Sequence, residues 1–349
     1  MAANQTINRM NPFKYIPGML CLSFLLTACS GEEEGLSPAA EYAGVSFTAS
    51  QRASGTDATG SVEGLVDKGK VAVYVWQGNR PSEENRPAYS NLYTFHVENN
   101  SCKLDSVSGS MKLPVGDGYY FYALSSNDPD LAAPVMATGN RTATLRNGVD
   151  YLMATSSSVN VSGTTAVSVP LSFRHIATQI VLTVQPADVN GYTSAGSLTA
   201  GIAPIDSTGS YIDLSKTWST DSPNVICCGT DAAGGTPLER ADGQVKAAAQ
   251  IESGPNFTVS FIILPVAGNA KIPLQFDFTD IVFSTGGTQS GKTYTARLTA
   301  PADGLKGGYT YAYSVKISRQ AAAFNSLPKV TPWVTDGINL DEVIEVDPK

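Results

Sequence analysis

The sequence predicts an all-β protein built as two tandem β-sandwich domains, and three observations predict it. Short runs with alternating apolar and polar residues, or wholly apolar runs rich in Val, Ile, Phe and Tyr, recur at near-regular spacing along the chain. Between them stand clusters of Gly, Pro, Ser, Thr, Asn and Asp, the residues that tight turns require. The 32 Gly and 20 Pro are numerous enough to punctuate that many strands. No stretch longer than two turns carries a convincing helical moment, and the best, Ala247–Glu252, is poor. A chain of 349 residues is long enough for two domains of ordinary size.

Before the first strand the pattern differs. Met19–Leu26 is an almost wholly apolar run of 8 residues, preceded by Arg9 and Lys14 and by no acidic residue. That is the layout of a secretory signal, and it falls far short of the roughly 20 helical residues that span a bilayer. The run ends in Leu26-Thr27-Ala28-Cys29, which resembles a bacterial lipobox. The resemblance implies that Cys29 carries the lipid and becomes the first residue of the mature chain, with residues 1–28 removed. Residues 29–41 then form a small, polar tether. Glu32, Glu33 and Glu34 give it the look of an acidic surface-export signal of Bacteroidetes-type lipoproteins.

Val45–Ala49 alternates and should form the first strand; Gln51–Gly64 follows as an aperiodic loop containing Arg52. Val71–Trp76 is dense in β-formers. Leu92–Val97 alternates, with Leu92, Thr94 and His96 on one face and Tyr93, Phe95 and Val97 on the other. Cys102–Met111 continues as a strand with a break. Leu113–Ala123 is a turn feeding an aromatic strand, and Leu305–Val315 repeats the arrangement, a weak internal echo with one copy per domain. Tyrosines at period two suit a sheet face that is half packed and half wet. Val167–Phe173 leads through Arg174 and His175 into Gln179–Val184, the longest apolar stretch of the mature chain. We therefore place the domains at 42–166 and 167–349. Asp206–Pro237 is a long Gly- and Asp-rich excursion holding Trp218, Cys227 and Cys228; Phe257–Pro265, Ile272–Phe278, Ile281–Phe283 and Thr293–Leu298 follow as strands.

Composition excludes several functions. The formal charge is −8, and removal of Arg9 and Lys14 with the signal leaves −10; nucleic acid, which demands Lys and Arg facing phosphates, is not a partner. Gly286–Thr293 satisfies the phosphate-loop pattern, but a β-branched, alternating stretch follows it instead of a helix, so it reads as a hairpin turn. His96 and His175 are the 2 histidines, too few for a histidine-rich zinc site and not spaced for a catalytic one. His175 reads as a satisfied, partly buried residue at a strand start. No acid–base pair stands out, so no catalytic residue, cofactor or metal is nominated. Vicinal Cys227 and Cys228 cannot easily bridge each other, given that a disulfide prefers Cα atoms about 5.5 Å apart; either could pair with Cys102, or all could stay free. Asp105-Ser106-Val107 and Asp206-Ser207-Thr208 match a short O-glycosylation pattern of exported Bacteroidetes proteins, making Ser106 and Ser207 candidate acceptors.

Together the lipobox at Cys29, the first strand with Arg52 behind it, Lys70–Val75, Tyr151–Ala154, Leu171–Ala177, Leu305–Ile317 and Pro332-Trp333 resemble the fimbrillin family, lipoprotein subunits of Bacteroidales-type fimbriae. The resemblance implies two transthyretin-like (Greek-key) sandwiches and a place at the outer membrane and in the fimbrium. It implies that a trypsin-like maturation protease cuts after Arg52 and removes the first strand. The opened groove then accepts an extended strand from another fimbrial subunit. The donor in this chain is expected around Ile338, Leu340, Ile344 and Val346, although Val343 falls out of phase. Stalk, tip and anchor positions all remain open, as does a host glycan or protein ligand. The rival reading is a non-polymerising surface lipoprotein that binds glycan on exposed aromatics such as Trp76 and Trp218; an enzyme is not expected.

Overall fold

The alternating runs form strands, and no helix occurs among the described residues of the computed structural model. These are residues 41–51, 62, 64–202, 210–216, 226–227, 245–248, 250–251, 255–324 and 327–333, all within one unit spanning Ala40–Lys349. Cys29, Arg52, Ser207, Trp218, Cys228, Ile338, Leu340, Ile344 and Val346 lie outside the described residues.

The first lobe contains β1 (Tyr42–Gln51), β2 (Lys70–Gln77), β3 (Tyr89–Glu98), β4 (Ser101–Ser106), β5 (Lys112–Pro114), β6 (Gly116–Ser125), β7 (Met136–Thr138), β8 (Arg141–Thr142), β9 (Leu152–Thr155), β10 (Val159–Val161) and β11 (Val167–His175). Its main sheet runs β6-β2-β3-β4-β1-β11-β9 and returns to β6, so it closes on itself. On β3 the expected alternation holds: Tyr93 and Phe95 are buried, while Leu92 and His96 are exposed. Strand β2 is buried on both faces, as a continuous apolar run should be. Val71, Val73 and Val75 enter the lobe's core, and Ala72, Tyr74 and Trp76 enter a separate apolar cluster. That second cluster joins the lobes, packing Trp76, Tyr122 and Met153 against Ile176, Ile212 and Leu264.

The second lobe contains β12 (Thr178–Pro186), β13 (Tyr192–Ser194), β14 (Ser197–Ile202), β15 (Tyr211–Ile212), β16 (Ile226–Cys227), β17 (Val245–Ala248), β18 (Gln250–Ile251), β19 (Phe257–Ile263), β20 (Lys271–Phe283), β21 (Gly287–Thr299), β22 (Tyr309–Ile317), β23 (Ala322–Phe324) and β24 (Lys329–Pro332). One sheet runs β18-β19-β12-β22, with β23 and β24 both along the outer edge of β22. The facing sheet centres on β20, with β21 on one side and β13 and β14 on the other. Ile180, Leu182, Phe261, Phe276 and Tyr311 are among the residues that fill the space between them.

The two-sandwich, all-β reading holds, with particular corrections. Val167–His175 does not begin the second domain: β11 pairs in parallel with β1 and sends Val169, Leu171 and Phe173 into the first core. The chain therefore passes between lobes at Ile176 and Ala177, and His175 ends a strand instead of starting one. Its apolar run continues into β12, which hides the change of sheet from the sequence. Ile272–Phe278 and Ile281–Phe283 are one strand, interrupted at Asp280 (φ 45°). Of Ala247–Glu252, the poor helical candidate, Ala247 and Ala248 belong to β17 and Gln250 and Ile251 to β18. Gly286 (φ 100°) and Gly287 (φ 75°) make the hairpin turn into β21, so the phosphate-loop pattern has no helix behind it.

The internal echo has a physical basis. Gly118 (φ 72°) bends the chain near the start of β6, and Gly308 (φ 78°) turns it into β22. The Tyr119 hydroxyl then donates to the Pro114 carbonyl at 2.9 Å, and the Tyr311 hydroxyl to that of Gly304 at 3.3 Å. Each pins the strand to the backbone just before it, as a tyrosine corner does. Burial divides the tyrosines: Tyr119, Tyr122, Tyr311 and Tyr313 are buried, while Tyr120 and Tyr309 are partly exposed.

Candidate functional site

The first strand is the element whose setting suggests a function. β1 pairs in parallel with β11 along its whole upper length, from Val45↔Val167 to Gln51↔Phe173. Its other edge is thinly held. Ala43 and its neighbours pair with β5, the Val45 amide donates to the Met111 carbonyl at 2.9 Å, and β4 meets it only at Thr48↔Lys103. Val45–Ala49, expected as the strand's core, lies inside it.

Alternation turns Ala43, Val45, Phe47, Ala49 and Gln51 inward, and all five are buried. Phe47 sits edge-on between Tyr93 (5.2 Å) and Phe121 (5.5 Å), the favoured aromatic arrangement. Cys102 shares this core as a free thiol. Burial pushes the Cys102 thiol up to about 11. In the native protein it should react with iodoacetamide at pH 8 at least about a hundredfold more slowly than an exposed cysteine. Peptide mapping before and after denaturation checks this, and equal labelling in both states contradicts it.

The inward face of β1 ends on a polar group. Gln51 Nε2 lies 2.5 Å from His175 Nε2, and His175 Nδ1 lies 2.6 Å from Asp150 Oδ1. A carboxylate only accepts, so Nδ1 carries a ring proton, and Nε2 meets the Gln51 side-chain amide. Asn127 Nδ2 donates to Asp150 Oδ2 and to the Gly64 carbonyl, both at 2.8 Å. Trp333 lies flat on the imidazole, 3.8 Å between ring centroids at 6°. Trp333 itself is buried directly after β24, whose other residues are largely exposed.

The sequence did not bring these residues together. They come from five segments and have no common spacing. One signal was present: Gln51 is in phase with the inward residues of β1, and a polar side chain at an inward position demands a buried partner. The dyad of Asp150 and His175 is no catalytic pair, because His175 is buried under Trp333 and faces an amide instead of a nucleophile.

Other candidates are placed apart from this site. His96 is exposed between Glu98 and Asp105, at 3.5 and 3.6 Å. Ser106 ends β4, where its hydroxyl donates to the Gly109 carbonyl. Trp76 is buried and packs against Tyr122, so it offers no glycan platform. A polar cavity of about 240 Å³ lies between Arg86, Asn140, Arg141 and Asp213. The charges of Arg141 and Asp213 answer each other there at 3.2 Å. Among the described residues no three His, Cys, Asp or Glu side chains gather to hold a metal ion, and no helix is long and apolar enough to cross a membrane.

A family model described as fimbrillin-like matches residues 52–336. No curated protein sequence matches the chain. Among solved structures, the fold is similar to that of a candidate cell adhesion protein from Bacteroides ovatus, with a TM-score of 0.55 at 13% identity, covering 85% of this chain and 99% of that one. A second candidate cell adhesion protein, from Bacteroides uniformis, gives 0.51 at 15% identity, covering 83% and 98%.

Proposed function

The chain belongs to the fimbrillin-like family, and we propose that it is a structural subunit of cell-surface fimbriae, assembled by strand removal and donor-strand exchange and supporting cell adhesion. The observation that carries the assembly step is the setting of β1: one fully paired edge, one thinly held edge and five inward side chains in a core. A strand so placed is bounded by a candidate cut site, Arg52. Its loss leaves a row of unpaired N–H and C=O groups along β11 beside empty apolar pockets, and an incoming strand satisfies both. In turn this chain offers its own C-terminal segment, carrying Ile338, Leu340, Ile344 and Val346, as the donor to the slot of a neighbouring subunit. A lipid on Cys29 holds the uncut subunit at the outer membrane, and a trypsin-like protease releases it.

Trypsin treatment of the pure protein, followed by sequencing of the new N-terminus, tests this reading. Cleavage after Arg52 with polymer ladders on gels is the expected result; an uncut Arg52 with no polymers overturns it. The rival glycan-binding reading draws no support from Trp76 or the alternating tyrosines, which core packing explains.

A further inference from the structure

We infer that the slot filled by β1 selects its occupant at the Gln51 position: it accepts a strand of another fimbrial subunit whose side chain there carries an amide, and rejects an apolar one. The inference rests on the strand-exchange reading above and adds to it the chemistry of the partner.

Four observations support it. First, His175 is buried, and the Gln51 amide is the hydrogen-bond partner of its Nε2. Second, the Gln51 amide and the imidazole are closely packed. Trp333 covers the ring face at 3.8 Å, and Gly64 closes in on the Gln51 amide so tightly that a Cβ on Gly64 would stand 2.2 Å from Oε1. Third, the imidazole cannot turn away, since Nδ1 is held by Asp150, which Asn127 holds in turn. Fourth, the amide is not there for its own sake. Gln51 Oε1 is buried without a partner among the described residues, so an apolar residue would suit this inward position better were His175 absent.

A site built to pair a buried polar group rejects an occupant lacking the partner, because the group is then left bare in the core. The rest of the inward face asks only for bulk: small at Ala43, branched at Val45, a ring at Phe47, small at Ala49. Apolar positions of that kind tolerate substitution by size. The amide is therefore the discriminating element, and the ring at Phe47 the main source of affinity.

The test uses the full chain with a specific-protease site placed directly after Arg52. After nicking, fluorescent decapeptides with the sequence of residues 42–51 compete for the slot, one unaltered and one with Gln51→Met, which keeps length and loses the amide. Anisotropy titration should show the Met peptide binding at least about tenfold more weakly. In a chain carrying His175→Leu the difference should vanish or reverse. Equal affinities in the unsubstituted chain overturn the selection while leaving strand exchange intact, and that comparison stands alone if the His175 variant does not fold. Entry of neither peptide overturns the exchange reading and the selection with it.

Discussion

Phe47→Ala will destabilise the intact chain by about 3–5 kcal/mol, the usual cost of deleting a buried aromatic ring. The ring fills the middle of the β1 slot between Tyr93 and Phe121, and 2% of it is exposed, so its removal leaves a cavity lined by two rings that cannot both collapse inward. Against a typical stability of about 5–15 kcal/mol, that is a large share of the total. Urea denaturation of the full chain measures it, with Tyr42→Ala on the same strand as control. Tyr42 is 52% exposed and should change stability by no more than about 0.5 kcal/mol. Equal effects of the two substitutions would show that β1 is not held by its inward face.

Trp333→Ala should cost a similar amount, about 3–5 kcal/mol, but its effect will be local as well as global. β24 pairs with β22 through Tyr309↔Pro332 to Ala312↔Lys329, and most of its side chains face solvent. The indole is therefore the anchor of that edge, fixed by its stack on His175 and by a backbone bond from the Trp333 amide to the Gly308 carbonyl at 2.9 Å. Amide exchange at residues 329–333 should accelerate sharply in the variant, while Val330→Ala, at an exposed position, leaves it unchanged. Trp333→Phe keeps a ring over the imidazole and should lie between. Unaltered exchange after Trp333→Ala would contradict an anchoring role.

How much of this was legible in the sequence depended on the range of the contacts. Period-two alternation located β1 and β3 and even their inward faces, because that pattern is local and each strand meets one core. β2 was legible as a strand, yet not as the wall between two cores, since its outer face is covered by Leu145, Tyr151, Ile212 and Leu264, which arrive from unpatterned or distant segments. The tyrosines of β6 and β22 look amphipathic, but the hydroxyls of Tyr119, Tyr311 and Tyr313 satisfy backbone carbonyls, and these three are buried, while Tyr120 and Tyr309 stay partly exposed. The lobe boundary was misplaced for a different reason: β11 and β12 are apolar in succession, and only pairing with β1 assigns β11 to the first sheet. The polar group under Trp333 was out of reach, because Gln51, Asn127, Asp150, His175 and Trp333 are gathered by topology alone.

The parallel pairing of β1 with β11 has a consequence for rates. Ser50 and Ser172 face each other 122 positions apart along the chain, which makes this the most non-local strand pair of the first lobe. Contacts that close so long a loop are expected to form late, after the local hairpins have paid the chain's early entropy cost. Substitutions in β1 then act on how fast the native chain opens and hardly at all on how fast it folds. The strand proposed for removal is thus the one that sets the lifetime of the uncut subunit, so kinetic persistence and competence to exchange are adjusted at the same few residues.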